Sequence, residues 1–116
     1  SEIFENTFYT DEQIIDFCSI QETSDNCFIL LSEELHQTNI NLFKINSSGQ
    51  EIWHKQFNNN SNENFMGGNS LQTNDGGFII SGATNRGNDN SCCNNYYNSL
   101  IIKTDPFGNA AYPYEN

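Results

Sequence analysis

One stretch of this chain is written twice. Glu22-Thr23-Ser24-Asp25-Asn26-Cys27-Phe28-Ile29-Leu30 returns as Gln72-Thr73-Asn74-Asp75-Gly76-Gly77-Phe78-Ile79-Ile80, an offset of 50 residues. Downstream, Leu42-Phe43-Lys44-Ile45-Asn46-Ser47-Ser48-Gly49 returns as Ile101-Ile102-Lys103-Thr104-Asp105-Pro106-Phe107-Gly108, with the same apolar pattern, lysine and closing glycine at an offset of 59. The difference, 59 − 50, is a nine-residue insertion in the second copy, placed at 85–98 together with Cys92 and Cys93. A third echo runs Phe4-x-x-x-Phe8, then Trp53-x-x-x-Phe57, then Tyr112 after the second glycine. Self-similarity at such a period marks a repeated supersecondary unit that buries its faces against neighbours.

Each copy reads as antiparallel strands. The runs "CFILLS" and "GFIISG" are short, apolar and bounded by turn residues, the pattern of a strand buried on both faces. In "EIWHKQF" the side chains alternate, so Ile52, His54 and Gln56 oppose Trp53, Lys55 and Phe57. Asn74-Asp75-Gly76-Gly77 is a tight turn in which one glycine supplies the positive φ. Ser47-Ser48-Gly49 and Pro106-Phe107-Gly108 form the next turn of each copy. The expected strands are 13–22, 27–34, 40–46 and 50–57, then 65–73, 78–84, 99–105 and 109–114. A ninth, over 2–8, matches the last strand of a copy. The division is therefore an extra N-terminal strand at 1–8, repeat one at 9–57 and repeat two at 58–116.

At these residues the chain resembles a known class of protein. The blocks "SLQTNDGGFIISGATN" and "LIIKTDPFGN" are similar to repeats of large secreted bacterial proteins, frequent in Bacteroidetes-type organisms. Those repeats read T-x-D-G-G-[FY]-I-[IV]-x-G-x-T, then L-I-K-T-D-x-x-G-N and an aromatic strand. The second copy fits well and the first loosely, because Asn26-Cys27 replaces the glycine pair and Asn46 replaces the aspartate. The resemblance implies four-stranded β-propeller blades, a secreted or surface location and a scaffold role, with no catalytic residues to carry over. Two blades do not close a propeller, which takes roughly four to eight. The expected fold is thus all-β, two blade-like repeats plus one strand, with a two-sheet sandwich as the alternative. The spare strand, bearing Ile3, Phe4 and Phe8, would complete an edge in another copy, giving a ring or a fibre.

Composition narrows the partners. The apolar fraction is only 35%, but nine Phe and five Tyr can build a thin core between sheets. Net charge is −11, with Lys44, Lys55, Lys103 and Arg86 the only fixed cations. Nucleic acid and anionic membrane surfaces both need basic side chains and are excluded as partners. Nothing approaches a membrane-spanning apolar run. Ser1-Glu2-Ile3-Phe4 lacks the pattern of a signal peptide, as expected of a mature chain whose signal has been removed.

Four cysteines, Cys18, Cys27, Cys92 and Cys93, suggest disulfides and an oxidising compartment. A Cys92–Cys93 bond would close a strained ring, so Cys18 and Cys27 are each expected to pair with one of the adjacent two. Buried thiols are the alternative, and the spacings do not suit zinc.

Catalytic chemistry finds little footing. A nucleophile–base pair would need His36 or His54 beside Ser or Cys and an orienting acid, and no local signature supports one. Glu33-Glu34 and Asp11-Glu12 are adjacent pairs that point to opposite strand faces, unlike glycosidase carboxylates. No cofactor is expected. The only cation the loops suit is calcium, through oxygens in 58–65 and 85–91. Asn46 and Asn59 head N-x-[ST] sequons and are glycosylation candidates in a secreted chain. The leading expectation is a non-enzymatic, self-assembling extracellular module. The runner-up is a carbohydrate- or protein-binding module from a longer secreted propeller, using Tyr96, Tyr97, Tyr112 and Tyr114.

Overall fold

The computed structural model describes residue 5 and residues 15–34, 39–57, 64–88 and 95–110. Every regular element among them is a strand: β1 (Ile15–Glu22), β2 (Phe28–Glu34), β3 (Ile40–Ile45), β4 (Glu51–Phe57), β5 (Asn64–Gln72), β6 (Phe78–Asn88) and β7 (Asn95–Thr104). They form two antiparallel sheets in chain order, β1-β2-β3-β4 and β5-β6-β7. Ala110 adds a bridge to Thr104, where the fourth strand of the second sheet was expected to begin. The rest of that strand, and the expected strand at 2–8, fall outside the described residues.

The duplication extends to backbone detail. A β-bulge at Cys18 in β1 recurs at Gly68 in β5, at the same offset of 50. In the first turn of sheet one, Thr23 N–H donates to Cys27 O and Asn26 N–H to Thr23 O; Thr73, Gly77 and Gly76 repeat this in sheet two. Gly76 takes the positive φ of 85°, and Asn26 takes the same region at 66°. Asparagine tolerates the left-handed conformation better than other side-chain-bearing residues, which explains how the first copy dispenses with the glycine pair. The later turns also match. Asn46 Oδ1 accepts from the N–H groups of Ser48 and Gln50, at 3.0 and 2.9 Å. Asp105 Oδ1 accepts from Phe107 and Asn109, both at 2.9 Å. Gly49 and Gly108 close the two turns at φ 85° and 83°.

The sheets pack face to face, and opposite faces of equivalent sheets meet. The face of sheet one that carries Ile29, Leu31, Ile40, Leu42 and Phe57 lies on the face of sheet two that carries Phe78, Ile80, Leu100 and Ile102, with Ala110 in the same core. Trp53 joins it, its ring edge-on to Phe78 at 5.9 Å. A Cβ on Gly108 would stand 2.8 Å from the Trp53 ring, so only glycine lets the turn lie against the indole. Among the described residues, hydrogen bonds cross the interface between Ser19 Oγ and Ser70 Oγ at 3.3 Å and from Ser24 N–H to Gln72 Oε1 at 2.8 Å.

Two expectations are corrected. The insertion at 85–98 is not a loop throughout, because β6 runs to Asn88 and β7 starts at Asn95, with Asn85 opposite Tyr97 and Asn88 opposite Asn95. The ladder continues because the inserted residues supply backbone on both arms at once, so the hairpin lengthens. The run "GFIISG" is also not buried on both sides: Phe78 and Ile80 are buried, whereas Ile79 is half-buried and Ser81 exposed. Its counterpart "CFILLS" does bury Ile29, Leu30, Leu31 and Ser32.

Candidate functional site

The charged side chains that recur in both copies are spent on holding the turns. Lys44 Nζ reaches Asp25 Oδ2 at 2.7 Å, and Lys103 Nζ reaches Asp75 Oδ2 at 3.0 Å. Each pair ties the first turn of its sheet to the third strand. The Lys44 ammonium and then the Thr23 hydroxyl hold the Asp25 carboxyl well below the usual carboxylate range. Thr73, the Gly77 N–H and Lys103 do the same for Asp75. Asp105 is lowered chiefly by the backbone N–H of Asn109. Burial, followed by the nearby Asp25 charge, pushes the Cys27 thiol up, away from thiolate reactivity. Sequence reading marked Asp75 as a turn former but missed its lysine. The signal was present, since Asp and Lys are both duplicated.

His54 lies on the outward face of sheet one, opposite Trp53, as the alternation requires. Its ring stacks on Phe43 at 4.1 Å and 10°, and Nε2 lies 2.8 Å from Asn41 Oδ1. Gln56 Nε2 reaches the same oxygen at 3.4 Å. The neighbouring Ser32 Oγ is buried and has no hydrogen-bond partner. Among the described residues the imidazole meets an amide oxygen and a phenyl ring. His36 lies outside the described residues, as do Asp11 and Glu12.

Part of what the fold leaves outward is apolar. Six large hydrophobic side chains are exposed among the described residues, Phe17, Ile20, Leu71 and Ile101 among them on the outer sheet faces. On sheet two, Leu71 is 48% and Ile101 65% exposed. With Asn69, Ile79 and Ser81 they line a shallow depression of about 130 Å³. On sheet one, Leu30, Phe43 and Ile45 at the centre of the outer face are buried. Its β1 edge is open, with Phe17 at 46% and Ile20 at 59% exposed; Phe17 sits edge-on to Phe43 at 6.0 Å.

The other sequence candidates are placed as follows. Cys18, in the β1 bulge, and Cys27, in the first turn, are both half-buried, and no disulfide forms among the described residues. Cys92 and Cys93 lie outside them, as do Ile3, Phe4, Phe8, Asn59, Tyr112 and Tyr114. Tyr96 and Tyr97 are on β7. The Asn46 amide is engaged within its turn, Nδ2 donating to Gln50 Oε1 at 3.1 Å. Residues 85–88 of the suggested calcium loop belong to β6. No group of three or more His, Cys, Asp or Glu among the described residues could hold a metal. None of the helix-like, long apolar spans that cross membranes occurs among them either. Comparison with protein-family models, curated proteins and solved structures finds no match to the chain.

Proposed function

We propose that this is a non-enzymatic, extracellular β-repeat module whose copies associate with one another, each sheet serving as a propeller-blade-like unit in a ring or fibre. The observation that carries this reading is the way the two sheets meet. Equivalent units stack by opposite faces, a head-to-tail arrangement that leaves the Ile79 side of sheet two and the β1 edge of the Phe28 side of sheet one exposed. A heterologous contact of that sort either closes into a ring or continues as a filament. The sequential meander of each sheet suits a blade. The acidic net charge keeps such a protein soluble outside a folded assembly. In an oxidising compartment Cys92 and Cys93 would pair with Cys18 and Cys27 and staple the long hairpin to sheet one.

The test is the mass of the native particle in light scattering at micromolar concentration. Oligomers or polymers are expected, and a clean monomer rejects the reading. A second reading, recognition of glycans or proteins, draws support from Tyr96 and Tyr97 on the lengthened β6–β7 hairpin, since aromatic rings suit sugar faces. Glycan-array binding that disappears in the Tyr96→Ala/Tyr97→Ala chain would favour it.

A further inference from the structure

We infer that the outward face of sheet two, centred on Leu71, Ile79 and Ile101, docks on the β1 edge of sheet one in a second copy, at Ile20 and Glu22. The inference rests on the self-association reading and gives it a specific interface.

The repeat applies once more between copies. In sheet one, the positions equivalent to Asn69, Leu71, Ile79 and Ser81 are Ser19, Gln21, Ile29 and Leu31, at the offset of 50. That face of sheet one is covered by sheet two. The same face of sheet two is exposed and more apolar at its edge, Leu71 standing where sheet one has Gln21. The chain's own interface shows what covers such a face: the Phe78 side of an equivalent sheet. The counterpart in a second copy is the Phe28 side of sheet one, where Leu30, Phe43 and Ile45 are already buried and the β1 edge alone exposes Ile20.

Of the two contacts, one becomes apolar and the other keeps its hydrogen bond. Ser19 meets Ser70 across the existing interface, so between copies Asn69 meets Ile20. Ser24 N–H donates to Gln72 Oε1, so between copies the Asn74 N–H faces Glu22, an exposed carboxylate and a stronger acceptor than the amide it replaces. Charge permits the approach. Copies carrying −11 repel one another, yet the sheet-two face holds Asn, Ser, Leu and Ile, and its rim charges Asp75 and Lys103 neutralise each other at 3.0 Å. An apolar patch with a polar rim is the form a docking surface takes.

The experiment uses two full-length variants, Ile101→Asp and Ile20→Asp. Both positions are exposed in the single chain, so each variant is expected to keep the melting temperature that wild type shows when diluted below association. A buried unpaired carboxylate should weaken association by roughly 100-fold. Sedimentation is then expected to show each variant as a monomer. An equimolar mixture should give a heterodimer and nothing larger, because one intact face of each kind remains. Wild-type chains that assemble while Ile101→Asp also assembles would overturn this interface and leave self-association standing. Ile20→Asp assembling while Ile101→Asp does not would also overturn it, pointing to like-face pairing. A monomeric wild type removes both the interface and the reading beneath it.

Discussion

Single residues carry the geometry of the turns, and their substitution costs follow from it. Gly108 combines a φ of 83° with a Trp53 ring 2.8 Å from where a Cβ would stand. Gly108→Ala is expected to destabilise the chain by about 1–3 kcal/mol, read from urea unfolding. A loss near zero would mean that the indole does not rest on this turn. Asn26 occupies the left-handed region with a side chain attached. Asn26→Ala should cost about 1 kcal/mol, and Asn26→Gly should be neutral or slightly stabilising.

The carboxylates of the turns predict an acid response with a definite sign. Asp25, Asp75 and Asp105 all have folded pKa values below their ordinary one. Their contribution is complete above the unfolded value near 4 and is lost as pH falls through the lower folded values. Asp75→Asn should therefore be less stable than wild type near pH 7, yet lose less between about pH 5 and about pH 3. Equal acid sensitivity in melting curves of the two chains would remove Asp75 from this account.

At the scale of elements, the core is shared between sheets, so its energy should appear as cooperativity between them. Phe78 is fully buried and touches Trp53 of the other copy. Phe78→Ala should cost about 3–5 kcal/mol and should expose both sheets to hydrogen exchange together. Protection retained in β1–β4 while β5–β7 exchanges would mean that the sheets fold separately. Much at this scale was legible in the sequence. Turn chemistry and short apolar runs are local signals, and they placed all seven described strands within a few residues of their observed ends. Two features were not local. The growth of the β6–β7 hairpin depends on both arms of the insertion finding backbone partners, which the Asn-rich composition of 85–98 does not advertise. Ile79 is only half-buried because no described strand covers that face of sheet two, and an apolar run looks the same with or without such a cover.

For the whole molecule, the duplication predicted two equivalent units, and the bulges at Cys18 and Gly68 extend that equivalence to the backbone. The sequence could not disclose which faces meet, since Ile29 and Phe28 sit on opposite sides of one strand with similar hydrophobicity. That pairing sets which face of each sheet is turned outward. It also shifts attention from Ile3, Phe4 and Phe8 to Leu71, Ile101 and Ile20 as the residues on which association should depend. The most direct measurement is sedimentation equilibrium of the full chain across a wide concentration range. The account predicts a mass that rises in multiples of 13.2 kDa. A constant 13.2 kDa at every concentration would contradict it.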